Sequence, residues 1–402
     1  MRKAIKPWLT PRLYLLMFNR SCYVGQMNRL IFCVVILIGL KMQIAQASKA
    51  RLQALAQSFH LTDAQSIYKK PIDLIYLNNL VALETGVTAA SSTSENAEAI
   101  ISYTSDKKHH LAVSFGHQDA AVADSRRFIN ILTSSNFELA QNPLHIFYAV
   151  DEALTPYAVG LFYSAKNDKR ADLKESSVGL SLGVEIGQFQ VSALYVPVNF
   201  VEAAAGKKFE GRGHLQSSVS YLLDKTLFEF TYVTSQHRLS KEVAGAVTLN
   251  ELHRQDIVTL GLVDSNRQVE NDFFWGAQVI TARINCGYYL SAVCDKVFTR
   301  STLPVWFGVE TQVEDWLIVR GTVKQSFLIN ITKDDIGYPV TAVNGATGLA
   351  TDVSAGASDT VVAAGIGFKF KNLILDGVLS IASTQQIHMT NFLSQVGITY
   401  NF

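Results

Sequence analysis

Few stretches of this sequence carry residue types that could do covalent or metal chemistry. Gly179-Leu180-Ser181-Leu182-Gly183 fits G-x-S-x-G, the elbow that presents a nucleophilic serine on a sharp strand-to-helix turn. Apolar residues at 178, 180, 182, 184 and 186 alternate straight through it, so Ser181 falls with Gly179 and Gly183 on the small, polar side of a strand. The nine histidines show no H-E-x-x-H or other ligand spacing, and His109-His110 falls at an expected turn. No glycine loop of the phosphate-cradling kind is present. Cys286 and Cys294, eight apart without neighbouring His or further Cys, make a poor zinc site and read as a loop-stapling disulfide of an exported protein. The expectation is a protein that is not an enzyme, with no catalytic residue, no metal and no cofactor.

What remains is charge placed on one parity. Glu84, Glu185, Glu229, Glu310, Arg320, Lys324, Lys369 and Asp376 fall opposite the apolar residues of their segments. On a membrane barrel this is the lumen side, because an Arg or Lys facing lipid at midplane costs about 2–4 kcal/mol. Such residues either pair across strands and brace the wall, or set the field of a water-filled pore. Their Gly, Ser, Ala and Thr neighbours read as room for water. A possible constriction comes from the stretch 118–142, where Asp124, Arg126 and Arg127 precede an apolar run. That stretch either folds inward or packs outside on its neighbours.

The elements that must position these residues are strands. Charged residues are 17% of the chain, below the roughly 25% of soluble domains. Apolar residues are 48% and the mean hydropathy is +0.16. Met27-Asn28-Arg29, an eleven-residue apolar run from Leu30 to Leu40 and Ala45-Gln46-Ala47 read as a secretory signal peptide over 1–47, with Met27 a possible true start. Its removal takes away seven Lys/Arg and no Asp/Glu, leaving 28 basic and 34 acidic residues, a net of −6. A nucleic-acid partner is thereby disfavoured. Residues 48–79 read as a periplasmic or lumen-tucked lead-in, with a short amphipathic helix from Arg51 to Ser66 and Pro71 ending it.

From Leu80 the period is two. Strands are expected at 80–88, 97–105, 110–117, 143–150, 156–165, 176–186, 189–197, 212–223, 226–237, 253–263, 271–284, 303–313, 316–331, 361–370, 373–383 and 391–402. Tight turns such as Gly187-Gln188, Asp224-Lys225, Glu314-Asp315 and Lys371-Asn372 alternate with longer connections, among them 198–211, 238–252, 285–302 and 332–360. Short turns at one end and long loops at the other describe an outer-membrane barrel.

The closing stretch, with Phe392, Val396, Ile398, Tyr400 and Phe402 on one parity, resembles the last strand of bacterial outer-membrane barrels. The resemblance implies a signal read by the barrel-assembly machinery. Segments at 142–148, 177–184, 303–310 and 361–367 are similar to a porin-like major outer-membrane protein family of predatory Gram-negative bacteria. That likeness implies passive solute passage and carries no catalytic motif.

The expected fold is therefore all-β, a transmembrane antiparallel outer-membrane β-barrel over 80–402 of about sixteen strands, with fourteen as the alternative. The expected function is a porin-like channel for passive diffusion of small hydrophilic solutes. The alternatives are a fatty-acid-transporter-like barrel whose lumen the amino-terminal segment plugs, and a structural or adhesive surface barrel. Expected partners are outer-membrane lipid and lipopolysaccharide, the barrel-assembly machinery, periplasmic chaperones and a possible homo-oligomer.

Overall fold

A computed structural model describes residues 48–86, 97–106, 108–119, 122, 126, 137, 140, 143–152, 154–168, 173–203, 206–243, 246–267, 271–288, 296–333, 359–382 and 392–402. Its strands are β1 Leu80–Gly86, β2 Glu98–Ser105, β3 His109–Phe115, β4 Leu144–Val150, β5 Tyr157–Asp168, β6 Leu173–Ile186, β7 Phe189–Ala203 and β8 Lys207–Leu223. They continue as β9 Thr226–Val243, β10 Ala246–Arg267, β11 Asn271–Tyr288, β12 Lys296–Glu314, β13 Leu317–Lys333, β14 Asp359–Phe370, β15 Leu373–Ala382 and β16 Phe392–Asn401. Each pairs antiparallel with its neighbours in sequence, and β1 pairs with β16 from Leu80↔Asn401 to Gly86↔Gln395, closing a sixteen-strand barrel. The fourteen-strand alternative is excluded by that seam, because β1 and β2 belong to the wall.

The wall is inverted relative to a soluble protein. Leu83, Ile101, Phe115, Leu182, Leu260 and Phe307 point outward and are exposed, while Glu84, Ser102, Ser114 and Ser181 point inward and are buried. An exposed apolar surface that runs around a closed sheet is what a bilayer solvates. Aromatic side chains mark its turn-side border, with Tyr157, Phe189, Trp316, Phe370, Tyr400 and Phe402 all exposed. Two-residue turns hold that end together. Asp224 and Lys371 adopt φ of 55° and Gly187 of 62°, the left-handed geometry that hairpin turns of this length require.

One expectation is corrected. Segments 198–211, 238–252 and 285–302 were expected as long connections, but most of their residues continue the ladder, so that β10 reaches 22 residues. The register runs unbroken from Glu251↔Leu239 to Asp264↔Thr226. Outside the bilayer the outward face of a strand no longer needs to be apolar, so the alternation fades, while the backbone pairing persists and the inward face stays buried, as at Phe209, His237, Leu239 and His253. By contrast β1 to β4 have only seven or eight residues each, which makes the barrel tall on one side.

Placing a charge in the middle of the outer belt should destabilise the barrel far more than placing it near the turns. Leu182→Arg should cost about 2–4 kcal/mol in urea-titrated folding into lipid vesicles, against about 0–1 kcal/mol for Leu223→Arg, outward beside the Asp224 turn.

Candidate functional site: a plugged lumen

Residues 48–79 lie inside the barrel. They form one short helix, α1 (Lys49–Ala54), and two 3-10 turns, Ser66–Tyr68 and Pro71–Tyr76. Ser48 caps α1 by accepting the Arg51 N–H at 2.9 Å, and its hydroxyl donates to Asp376 Oδ2 of the wall at 2.8 Å. The helix expected from Arg51 to Ser66 is corrected to this shorter one, which stops because Ala56 and Gln57 turn left-handed, with φ of 54° and 56°, well before Pro71. Asp63 starts the first 3-10 turn by accepting the Gln65 and Ser66 N–H groups at 2.8 and 3.1 Å. Pro71 begins the second, where its missing N–H costs nothing.

Three polar clusters fasten this plug to the wall. In the first, Arg51 gives Glu310 a two-pronged contact, Nε to Oε2 at 2.8 Å and Nη2 to Oε1 at 3.1 Å. Arg320 donates to the same Oε2 and to Asp376 Oδ1, both at 2.6 Å. In the second, Glu84 and Glu98 face each other across β1 and β2, and the Gln65 amide donates to both. The Lys49 N–H reaches Glu84 at 2.6 Å, its ammonium pairs with Glu98, and His117 Nδ1 meets Glu98 at 2.9 Å. In the third, Lys70 pairs with Glu229, Gln190 donates to Asp73 at 2.9 Å, and Tyr76 donates to Glu185. Trp306 further donates to Ser58 at 3.1 Å.

Apolar contacts fill the space between. Leu55 and Leu61 pack on Val263, Phe274 and Trp306, while Ile67, Ile72 and Leu77 pack on Ile100, Ala112 and Phe147. Glycines in the wall are what let the plug approach. A Cβ at Gly365 would sit 2.5 Å from Ala54 Cβ, and one at Gly397 would sit 2.6 Å from Ser48 Cβ. The small inward residues that read as room for water are, at these two positions, room for the plug.

Burial sets the protonation of groups in the plug and beside it. Loss of water pushes the Asp63 carboxyl up to about 7 against the opposing pull of Arg51. It pushes His117, stacked on Tyr68 at 3.3 Å, down to about 4 against the pull of Glu98.

All eight charges expected to line the lumen stand on the inward parity of their strands. Glu84, Glu185, Glu229, Glu310 and Asp376 contact the plug directly, and Arg320 contacts it through Glu310 and Asp376. Among the described residues, Lys324 and Lys369 make no hydrogen bond or ion pair with it, and Lys324 has no ion pair at all. Arg126 is fully buried inside the wall, 2.9 Å from Asn199 Oδ1, 3.0 Å from Glu175 Oε1 and 2.7 Å from Ser177 Oγ. Val122 packs on Phe162, Leu194 and Val196, so these two residues of 118–142 face inward. Asp124, Arg127 and Cys294 lie outside the described residues, as do the side chains of Cys286 and Phe392. Ile398, Tyr400 and Phe402 are exposed on the outer face, with Val396 half-buried there.

Ser181 sits in the straight middle of β6 opposite Gly160. His145 and Asp119 line the same small cavity, but neither ring nitrogen of His145 is hydrogen-bonded and its Nε2 lies 3.9 Å from Asp119. A serine without a bonded base in a cavity of water size lacks the geometry of a nucleophile. The site residues that escaped sequence reasoning were Arg51, Lys49, Gln65, Lys70 and Glu98. For Arg51, Lys49 and Lys70 the signal was the number of charges in a short lead-in, for which no partner strand could be named. Gln65, which is uncharged, and Glu98, at the start of β2, carried no such signal.

A closed barrel, apolar outside and plugged inside by polar contacts, defines the class of the molecule. It is similar in architecture to outer-membrane barrels of solved structure. A porin matches 80% of this chain and 99% of its own at 9% identity and TM-score 0.37. A bacterial polysaccharide outer membrane secretin matches 80% and 97% at 9% identity and TM-score 0.44. The ferric citrate transporter FecA in unliganded form matches 80% and 55% at 10% identity and TM-score 0.42. No protein family and no curated protein matches the chain.

Loosening the fastening should expose the plug. With Cys286→Ser and Cys294→Ser as background, a cysteine placed at Ile67, fully buried, should react with a water-soluble maleimide at least about tenfold faster in Arg51→Met, because breaking a buried ion pair costs about 3–5 kcal/mol. Gly365→Val should act the same way through the clash with Ala54.

Proposed function

We propose that this protein is an outer-membrane barrel that passes small hydrophilic solutes when residues 48–79 leave its lumen. In this reading residues 1–47 are a secretory signal peptide and the chain is inserted by the barrel-assembly machinery after escort by periplasmic chaperones. The observation that carries the reading is the chemistry of the plug's seat. Glu84, Glu98, Glu229, Glu310, Arg320 and Asp376 are charges that a permanently packed core would not need, and that water can solvate once the plug departs. The open diffusion porin expected from sequence is thereby refined to a channel with a resident stopper. The protein acts by passage rather than by catalysis, and Ser181 is given no role in a reaction.

A second reading is favoured by one feature of the wall. A cavity of about 480 Å³ opens where β1, β2 and β16 meet, lined outside by Leu83, Ala99, Phe115, Val396 and Ile398 and bordered by Glu84 and Glu98. Its size suits a small ligand. An apolar molecule could cross the wall there instead of running along the lumen.

Planar-bilayer recording separates the two. Protein with 48–79 in place should show rare or small openings, and protein lacking 48–79 should show stable stepwise conductance. Folded deletion protein that gives no conductance would sink the channel reading and favour lateral passage.

A further inference from the structure

On the tall side of the barrel, the outer face changes character over two rows of residues. Tyr232, Val258 and Thr281 stand side by side on β9, β10 and β11, and below them Leu260 and Val279 are exposed apolar residues. The next outward row is Thr234, Asp256 and Arg283, and the one after it is Gln236, Arg254 and Asn285. Arg212 is exposed on β8 at a bulge between Gly211 and His214, opposite Gln236. Gly213 supplies the φ of 101° that this bulge needs and lies against the outward Tyr195.

Three exposed arginines therefore stand on β8, β10 and β11 at the border of the apolar belt. Neighbouring strands are about 4.8 Å apart, so the three fall within about 15 Å of one another. Arg254 is held upright by Asp256, Nε to Oδ2 at 3.0 Å, and Asp256 is itself fixed by Thr234 at 2.7 Å and Tyr232 at 3.2 Å. Arg283 donates to Asn285 at 3.3 Å, and Arg212 has no partner among the described residues. Arg238 stands on β9 beside them, opposite Glu210 of β8. Four arginines against Asp256 and Glu210 leave a local net charge of +2, on a mature chain whose net charge is −6.

We infer that Arg212, Arg254 and Arg283 form a binding site for the phosphate groups of a glycolipid in the outer leaflet. The inference rests on the outer-membrane placement proposed above. Guanidinium groups present fixed forks of N–H donors that match phosphate oxygens two at a time. The position selects a lipid-borne phosphate over a free one, because acyl chains of the same molecule would lie on Val258, Leu260 and Val279 directly below. The spread over adjacent strands suits a headgroup with two phosphates, such as the lipid anchor of lipopolysaccharide, better than a phospholipid with one. Only three of the four arginines are assigned, since Arg238 already faces Glu210.

The test uses the full-length folded protein in detergent micelles doped with diphosphoryl lipid A, with retained lipid counted by native mass spectrometry. The triple variant Arg212→Gln/Arg254→Gln/Arg283→Gln should lose lipid A by about tenfold or more, with folding checked by its heat-dependent gel shift. Lys174→Gln, exposed on β6, should bind as wild type does. Dephosphorylated lipid A should bind wild type as weakly as lipid A binds the triple variant, and equimolar inorganic phosphate should displace little. Equal retention by wild type and the triple variant would overturn the site, as would displacement by equimolar free phosphate. Wild-type protein that neither retains lipid nor enters vesicles would overturn the membrane placement together with the site.

Discussion

The carboxylate of Glu310 is the point on which the interior turns. It stands between Arg51 of the plug and Arg320 of the wall, and Arg320 passes the charge on to Asp376, which accepts from Ser48 at the start of α1. Wall and plug thus share one chain of alternating charges. Taking any of these groups from water is costly, and the cost is met only while the partners stay in place. The consequence is a two-sided interior. With the plug seated, each charge of the chain is answered by protein. With the plug gone, Glu310, Arg320 and Asp376 remain as a compact cluster on the wall that invites water. A barrel sealed for strength alone would more cheaply use apolar contacts, as it does at Phe274 and Trp306.

Much of the barrel was legible because a bilayer imposes a strict rule on a strand. Outward residues must be apolar, so Leu180, Leu182 and Ile186, or Val258 and Leu260, declare their face without knowledge of their partners. Strand number followed from that rule, together with the inward parity of the eight charges. Strand length did not. Beyond the membrane the rule lapses, and in Gln236-His237-Arg238-Leu239-Ser240 nothing in the alternation distinguishes a paired strand from a loop. The pairing there rests on backbone groups together with inward contacts such as the stacking of His237 on Phe209 and His253, whose partners lie on other strands.

The plug was the least legible part. Its seat is made of absences in the sequence, chiefly glycines such as Gly365 and Gly397, and an absent side chain looks alike whether water or protein takes its place. Its fastenings join residues separated by up to 328 positions, as between Ser48 and Asp376, so no local pattern announces them. Arg126 shows the same limit. Its spacing suggested a constriction, but its partners Glu175, Ser177 and Asn199 come from two strands that could be named only after the barrel was closed.

The seating of residues 48–79 inside the wall is the central claim, and a designed cross-link tests it most directly. In a background of Cys286→Ser and Cys294→Ser, cysteines replacing Asp73 of the plug and Gln190 of the wall, whose side chains meet at 2.9 Å, should be joined by a short bifunctional thiol reagent in the folded protein. Rapid cross-linking with retention of the barrel's heat-dependent gel shift is the expected result. Folded protein in which both thiols stay open to a bulky water-soluble reagent would contradict it.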